Sequence, residues 1–376
     1  MNIHKYLPIS LTILFFLFIG IILFISQKNF SIIPQPTTKA QSSYPQCQQG
    51  RINSPCQCGS QIYNAGFCCY HPNANSGIWF DPSYDSCPTG NFYFVDQNNP
   101  NASDENPGIE EMPWKTITKA CQVVQPGDIV LVKEGEYHDF NGTYYKAFSP
   151  VNSGTPDNPI IFKSYPRHAA ILKSVEGDHE CSAMAIYQKE DIIIDGFKVK
   201  GQIRLHNTNH CTIRNCDVSE GWYQGDPSLN WGIRISGSYN IVENNYVHDM
   251  KDSGNNSHNT ACIMVFYPSE YNIIQNNLAD AGGGIVYSAF GQKGGDIYYN
   301  IWRYNIARNA PCGFLGKSST DETDPSEDNI YYQNIIINCN RAFELTHECH
   351  KFKIYNNTAY NCPIFIKAIK NNNTNI

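Results

Sequence analysis

The most constraining feature of this 376-residue chain is repetition: from Asp191 to Ile376 it writes nearly the same phrase seven times. The phrase is a short apolar run, a corner rich in Asn, and a second apolar run. It reads Asp-Ile-Ile-Ile-Asp-Gly-Phe from Asp191, His-Cys-Thr-Ile-Arg-Asn-Cys from His210, Tyr-Asn-Ile-Val-Glu-Asn-Asn from Tyr239 and Tyr-Asn-Ile-Ile-Gln-Asn-Asn from Tyr271. Looser copies start at Ile301, Ile330 and Phe352. With corners at Gly196, Cys216, Asn245, Asn277, Asn305, Asn334 and Asn357, successive copies lie 20, 29, 32, 28, 29 and 23 residues apart. A period of this size means stacked units, each too thin to bury its own apolar face.

A further short segment precedes each corner: Ile203–His206, Ile233–Ser236, Ile263–Phe266, Ile285–Ser288, Phe343–Thr346 and Ile364–Lys367. These alternate with period two and are rich in β-branched residues, which reads as strand. No helical stretch separates them. Each unit is therefore one turn of a coil of three short strands, every strand pairing in parallel with its counterpart one turn away, at a rise of about 4.8 Å. Ile203, Leu205, Ile233, Ile235, Ile263 and Val265 are expected to point inward. At the corners, Asn245, Asn277, Asn305, Asn334 and Asn357 are placed to accept from one neighbour and donate to the next, forming an amide ladder. Cys339 and Cys362, each five residues past a corner Asn, are expected in adjacent turns, either as a disulfide or as two apolar thiols.

On these residues the chain resembles the right-handed parallel β-helix proteins of the pectate-lyase-like superfamily, over roughly residues 91–376. The resemblance extends to Phe92–Asp96, Asn106-Pro-Gly, Pro113–Ile117, Gly127–Lys133, Gly135–Tyr137 and Asn158–Tyr165, which are similar to the leading segment of many secreted β-helix proteins. It implies an all-β fold, a right-handed parallel β-helix with an N-terminal capping helix. Thr116 to Val124 supplies that helix, with Thr116 as N-cap, Ile117, Ala120, Cys121 and Val124 on one face, and Pro126-Gly127 as the stop. It is expected to shield the edge strands at that end of the coil. No such helix is expected after Ile364–Ile369, so the last turn is expected either to continue or to be covered by another molecule.

Ahead of the coil the chain changes character three times. Residues 1–25 hold an apolar stretch from Leu7 to Ile25, long enough to span a bilayer, and read as a membrane anchor in preference to a cleaved signal segment. Residues 26–46 read as a flexible stalk. Residues 47–90 contain Cys47, Cys56, Cys58, Cys68, Cys69 and Cys87, a disulfide framework whose pairing the spacing leaves open. Cys-x-Cys and Cys-Cys match zinc-ligand spacing poorly. This small module is similar to cysteine modules that precede β-helix domains in some bacterial surface proteins, so the body is expected to be exported or secreted. The formal net charge of −7 argues against a nucleic-acid partner.

Candidate chemistry lies on the outward side of the coil, where polar side chains alternate with core residues and long insertions flank the strands. Arg204 and Arg234 hold equivalent places in successive turns, about 5 Å apart at the backbone. Two stacked guanidinium groups suit an anion between them, such as a uronate carboxylate. What the resemblance implies is a polysaccharide lyase acting by β-elimination, in which a base removes the proton beside the uronate carboxylate while a cation or Ca2+ neutralises that group. By position, Lys251, Arg234 and His258 are the candidate bases and Arg204 the neutralising cation. Asp249 and Asp252 are candidate Ca2+ ligands. His206, Trp222, Trp231, Phe266 and Tyr267 are the candidate substrate platform, since sugar C–H faces stack on aromatic rings. Two other readings stay open. A glycoside hydrolase needs two converging carboxylates, and Glu344 alone qualifies among the outward strand positions; a non-catalytic glycan-binding rod needs only the aromatic platform.

Overall fold

The structure is a computed structural model that describes residues 50–369 apart from 52–55, 59–60, 64–65, 70–73, 75–76, 82–83, 85–86, 89, 139–147, 175–181, 222–229, 251–259, 281–283, 292–296, 318–325 and 347–348. The expected anchor and stalk lie outside the described residues, as do Cys47, Trp222, Lys251, Asp252 and His258. Among the described residues no helix is long and apolar enough to cross a membrane. The chain divides into two compact units at Pro88 and Thr89.

In the first unit the cysteines act as staples. Disulfides join Cys58 to Cys68 and Cys69 to Cys87. The short antiparallel strands Gly50–Arg51, Phe67–Cys69 and Ile78–Phe80 form one sheet, and its Cys68 and Trp79 are buried in a cluster with Cys56 and Cys58. Trp79 and Tyr84 are buried, so these two rings serve packing.

The second unit is the coil. Three parallel sheets run along it, each built by stacking one strand of every turn on the next. Sheet A has ten strands, from Phe92–Val95 to Lys353–Tyr355; sheet B has nine, from Gly135–Tyr137 to Thr358–Tyr360. Sheet C runs through eight strands from Ser182–Tyr187 to Ile364–Ile369, and carries three further two-residue strands at Ile297–Tyr298, Ser326–Glu327 and Cys349–His350. Alternation decides which side chains go in: Ile203, Leu205, Ile233, Ile235, Ile263 and Val265 are all 0–1% exposed. They stack on one another in register through Ile203, Ile233 and Ile263, each burial contributing about 1.5–3 kcal/mol. The helix α1, Ile117–Val123, starts at Thr116, whose side chain accepts from the Lys119 amide, and buries Ile117, Ala120 and Cys121 against the core.

The amide ladder forms as expected. Asn245 Nδ2 donates to Asn277 Oδ1 (3.0 Å), Asn277 to Asn305 (3.0 Å), Asn305 to Asn334 (3.1 Å) and Asn334 to Asn357 (2.9 Å). Each second Nδ2 proton goes to a main-chain carbonyl, such as Val242 O for Asn277. A second ladder, Asn240, Asn272, Asn300 and Asn329, runs along the corner between sheets C and A. In both corners the residue just before the ladder Asn takes left-handed backbone: Tyr239 (φ 59°), Tyr271 (57°), Asn244 (56°) and Asn276 (55°) are examples. That conformation makes the bend tight, and the inward amide satisfies the backbone groups the bend would orphan. At Gly237 (φ +110°) a Cβ would meet Thr208 O at 2.0 Å, so a strand crossing this close needs glycine. Cys339 and Cys362 are free thiols, and burial pushes the Cys339 thiol up to about 12.

Candidate functional site

Sheet C differs from its two companions in strand length. Sheets A and B carry mostly three-residue strands, whereas sheet C strands reach eight and ten residues at Gln202–Asn209, Trp231–Ser238 and Ala261–Glu270. Longer strands put more outward positions in register. One outward column runs Ala185, Arg204, Arg234, Met264, Ser288, Leu315, Glu344, Lys367. A second holds Phe266, Phe290, Lys317 and Thr346, and at the other end Tyr187 beside His206.

The expected pairing of Arg204 with Arg234 in adjacent turns is what the register shows. Their surroundings differ from the expectation of two exposed cations. Arg204 is buried, at 6% exposure. The Arg234 guanidinium lies 3.7 Å from the Phe266 ring centroid and 4.6 Å from that of Trp231. A cation held between two rings keeps its charge at low cost because the ring quadrupoles replace part of its hydration.

The aromatic platform is smaller than the sequence reading has it. Trp231 was expected on the surface but is buried, at 7%, in an outer apolar cluster with Ala261, Met264, Ile285, Cys312 and Leu315. The reason is that outward apolar residues from neighbouring turns meet and bury each other, giving the sheet C wall a second hydrophobic layer outside the coil. Tyr267 is partly buried, packs against the interior core and also lies against the Phe266 ring, centroids 4.3 Å apart at 37°. Phe266 does belong to the wall, and stacks with Phe290 at 5.6 Å and 8°. Lys317 Nζ sits 4.5 Å from the Phe290 ring centroid, and burial lowers its pKa below the ordinary lysine value.

His206 stacks on Tyr187 at 4.7 Å and 11°. Burial first, and the charges of Arg204 and Arg234 after it, lower its pKa to about 4. The imidazole is therefore neutral at pH 7. Two polar atoms of the wall, Trp231 Nε1 and Ser288 Oγ, are buried without a hydrogen-bond partner among the described residues. Each such group costs about 1–3 kcal/mol, a cost usually tolerated where function requires it.

The carboxylates do not assemble a metal centre from described residues. Asp249 Oδ2 is 2.7 Å from His248 Nδ1, while His248 Nε2 meets Asp217 Oδ1 at 2.8 Å. The hydrogen bond to Asp217 leads the factors that raise the His248 pKa, and the same imidazole engages Asp249, the carboxylate that was expected to bind Ca2+. Among the described residues no three His, Cys, Asp or Glu side chains are grouped to hold a metal ion. Glu344, the one outward strand carboxylate, is fully buried and pairs with Arg341 and Lys367.

Sequence reasoning missed Lys317, Phe290 and Tyr187. Lys317 ends the strand Cys312–Lys317 with the outward parity of Leu315. Extending the alternation by two residues would have found it.

With this geometry in hand, comparison with known proteins is informative. The family model described as the Pel9A-like, right-handed β-helix region matches residues 93–309, more than half of the chain. The crystal structure of pectate lyase Pel9A superposes with a TM-score of 0.50 at 15% identity, covering 75% of this chain and 79% of that one. A rhamnogalacturonan lyase superposes with a TM-score of 0.45 at 16% identity, over 69% of this chain and 75% of that one. Among curated proteins, the uncharacterized protein YwoF of Bacillus subtilis (strain 168) is 26% identical over 175 residues, 44% of this chain. The match spans 31% of that relative's length.

Proposed function

The chain belongs to the Pel9A-like right-handed β-helix family, and from that premise we propose that it is a carbohydrate-active protein whose sheet C wall binds a uronate-containing polysaccharide and cleaves it by β-elimination. The observation that carries this reading is the arginine pair in register, Arg204 and Arg234, with Arg234 set between two rings beside the Phe266–Phe290 platform. The arginines supply fixed positive charge for a carboxylate. The rings supply apolar contact for the sugar face.

The chemistry follows from charge placement. The proton on the carbon bearing the carboxylate becomes removable only when the charge that develops on that group is stabilised in place. Arg204 and Arg234 serve that role. A base takes the proton, its electron pair forms a carbon–carbon double bond, and the glycosidic oxygen leaves from the adjacent carbon. Lys317 joins Lys251 and His258 as a candidate base, because its lowered pKa raises the fraction of neutral amine. No step is routed through Ca2+, since the described residues bring no ligand set together. The disulfides of the first unit support an exported body, held at a membrane by residues 1–25.

The test is an assay on pectate, alginate and glycosaminoglycans, following the near-ultraviolet absorbance of the unsaturated product with and without chelator. The expected result is activity on one of them, reduced about 100-fold in Arg234→Ala, with the pH–rate profile displaced in Lys317→Met. Absence of product on all three, with polymer still bound, overturns the lyase reading in favour of a binding rod. New reducing ends without absorbance would indicate a hydrolase, against which the pairing of Glu344 argues.

A further inference from the structure

The corner between sheets C and A carries a second patterned surface that the uronate reading leaves unused. His210, Tyr239, Tyr271 and Tyr299 hold equivalent places in four successive turns, all in left-handed backbone conformation (φ 54°, 59°, 57° and 55°). Their rings stack along the coil with centroids 5.2, 5.2 and 5.1 Å apart. The tyrosines are 50%, 41% and 44% exposed. Next in the chain, Asn240, Asn272 and Asn300 turn inward to their ladder. Ile241, Ile273 and Ile301 then point out again, in register and partly exposed. The product is a flat stripe with one Tyr and one Ile per turn.

Folding does not demand rings at these places. The next two turns put Asp328 and Lys351 at the same corner with the same left-handed backbone (φ 51° and 54°). The aromatic run is thus a local addition to a corner that accepts polar residues. Rings stacked on one another show solvent their edges and hydroxyls, so the stripe is a row of phenolic hydroxyls at a spacing of one coil turn, bordered by isoleucine. An extended polysaccharide presents the matching pattern: a hydroxyl edge, an apolar C–H face, and a sugar unit close in length to that spacing. Weak contacts repeated at every turn add up through effective concentration.

Charge selects among such polymers. The column just before the tyrosines holds Ser238, Glu270, Tyr298 and Glu327 in register. On the other flank Arg303 is already engaged with Gln275 (2.8 Å) and Tyr332 (3.0 Å). Glu327 is paired with Lys351 (3.4 Å), but a polyuronate would meet the Glu270 carboxylate beside the tyrosines with no ion-pair partner among the described residues to offset it. The geometry points to a docking stripe for an uncharged, extended β-linked polysaccharide of the glucan, mannan or xylan type, lying parallel to the coil axis with one sugar per turn. It is separate from the sheet C wall and does not depend on cleavage there.

Affinity electrophoresis of the full chain through gels containing soluble β-glucan, mannan, xylan or polygalacturonate tests this. At least one neutral polymer is expected to retard the protein, and Tyr239→Ser with Tyr271→Ser to weaken that retardation about tenfold. Arg234→Ala should leave it unchanged. Should the double variant lose its near-ultraviolet circular dichroism, replacing Tyr239, Tyr271 and Tyr299 by Phe keeps every ring and removes only the hydroxyls, and a clear loss of retardation is again expected. Retardation by no neutral polymer overturns the stripe, as does retardation that survives both sets of changes. Loss of neutral retardation in Arg234→Ala alone would assign the binding to the sheet C wall and overturn it equally.

Discussion

On sheet B the outward cations meet carboxylates: Lys173 on Glu136, Lys200 on Glu220, Arg308 on Asp280, and His248 between Asp217 and Asp249. On sheet C, Arg234 and Lys317 rest on the rings of Trp231, Phe266 and Phe290. The same repeat built both walls, so the difference does not come from the backbone. It comes from strand length and from what stacks beside each cation. Three-residue strands offer two outward columns, and in sheet B opposite charges fill neighbouring positions. The longer strands of sheet C make room for an apolar outer layer, and cations set in that layer rest against rings and are poorly hydrated.

Substitution separates the two walls most strongly at Trp231. If the outer layer of sheet C carries packing energy, Trp231→Ala should lower unfolding free energy in urea by about 3 kcal/mol. A loss below about 1 kcal/mol would mean the layer is surface decoration. On sheet B, Asp217→Asn takes one carboxylate from His248, and the expected loss is only about 1 kcal/mol because the pair is partly solvated.

The smallest effects have opposite signs at the two histidines. His206 has a folded pKa of about 4, below its ordinary value. The unfolded chain therefore binds more protons between about pH 6.5 and 4, and stability falls as pH drops through that window. His248 has a raised folded pKa, so its contribution is fully present below the ordinary histidine value and is lost as pH rises through the folded one. Unfolding midpoints followed across pH should show the acid-side fall flattened in His206→Gln and the neutral-side fall flattened in His248→Gln. Identical pH curves for both variants would erase the contrast between the walls.

Much of the coil was legible in the chain because a solenoid makes local patterns do global work. Alternation at Ile203 and Leu205, repeated at Ile233 and Ile235, named the inward face. The ladder from Asn245 to Asn357 could be read from one corner repeated at a steady period. The second ladder at Asn240, Asn272 and Asn300 was also present in the recurring Tyr-Asn-Ile phrase, but the adjacent Asn pairs drew the reading to a single corner. Part of the wall was less legible. Parity says that Arg204 leaves the coil but not whether it then meets water, and it sets Trp231 with the inward Ile233 and Ile235, although that ring lies in the outer cluster.

By itself the sequence determined the period, the strand alternation, the capping turn at Thr116 and the register that brings Arg204 beside Arg234, since each depends on spacing along the chain. Only the tertiary structure decided that Trp231 is buried, that Tyr267 packs on both the core and Phe266, that His206 is neutral and that Asp249 is engaged by His248. Those outcomes depend on side chains from different turns excluding water from one another. That exclusion is set by the volume and charge of neighbours roughly thirty residues away along a chain that stacks one turn every ~4.8 Å.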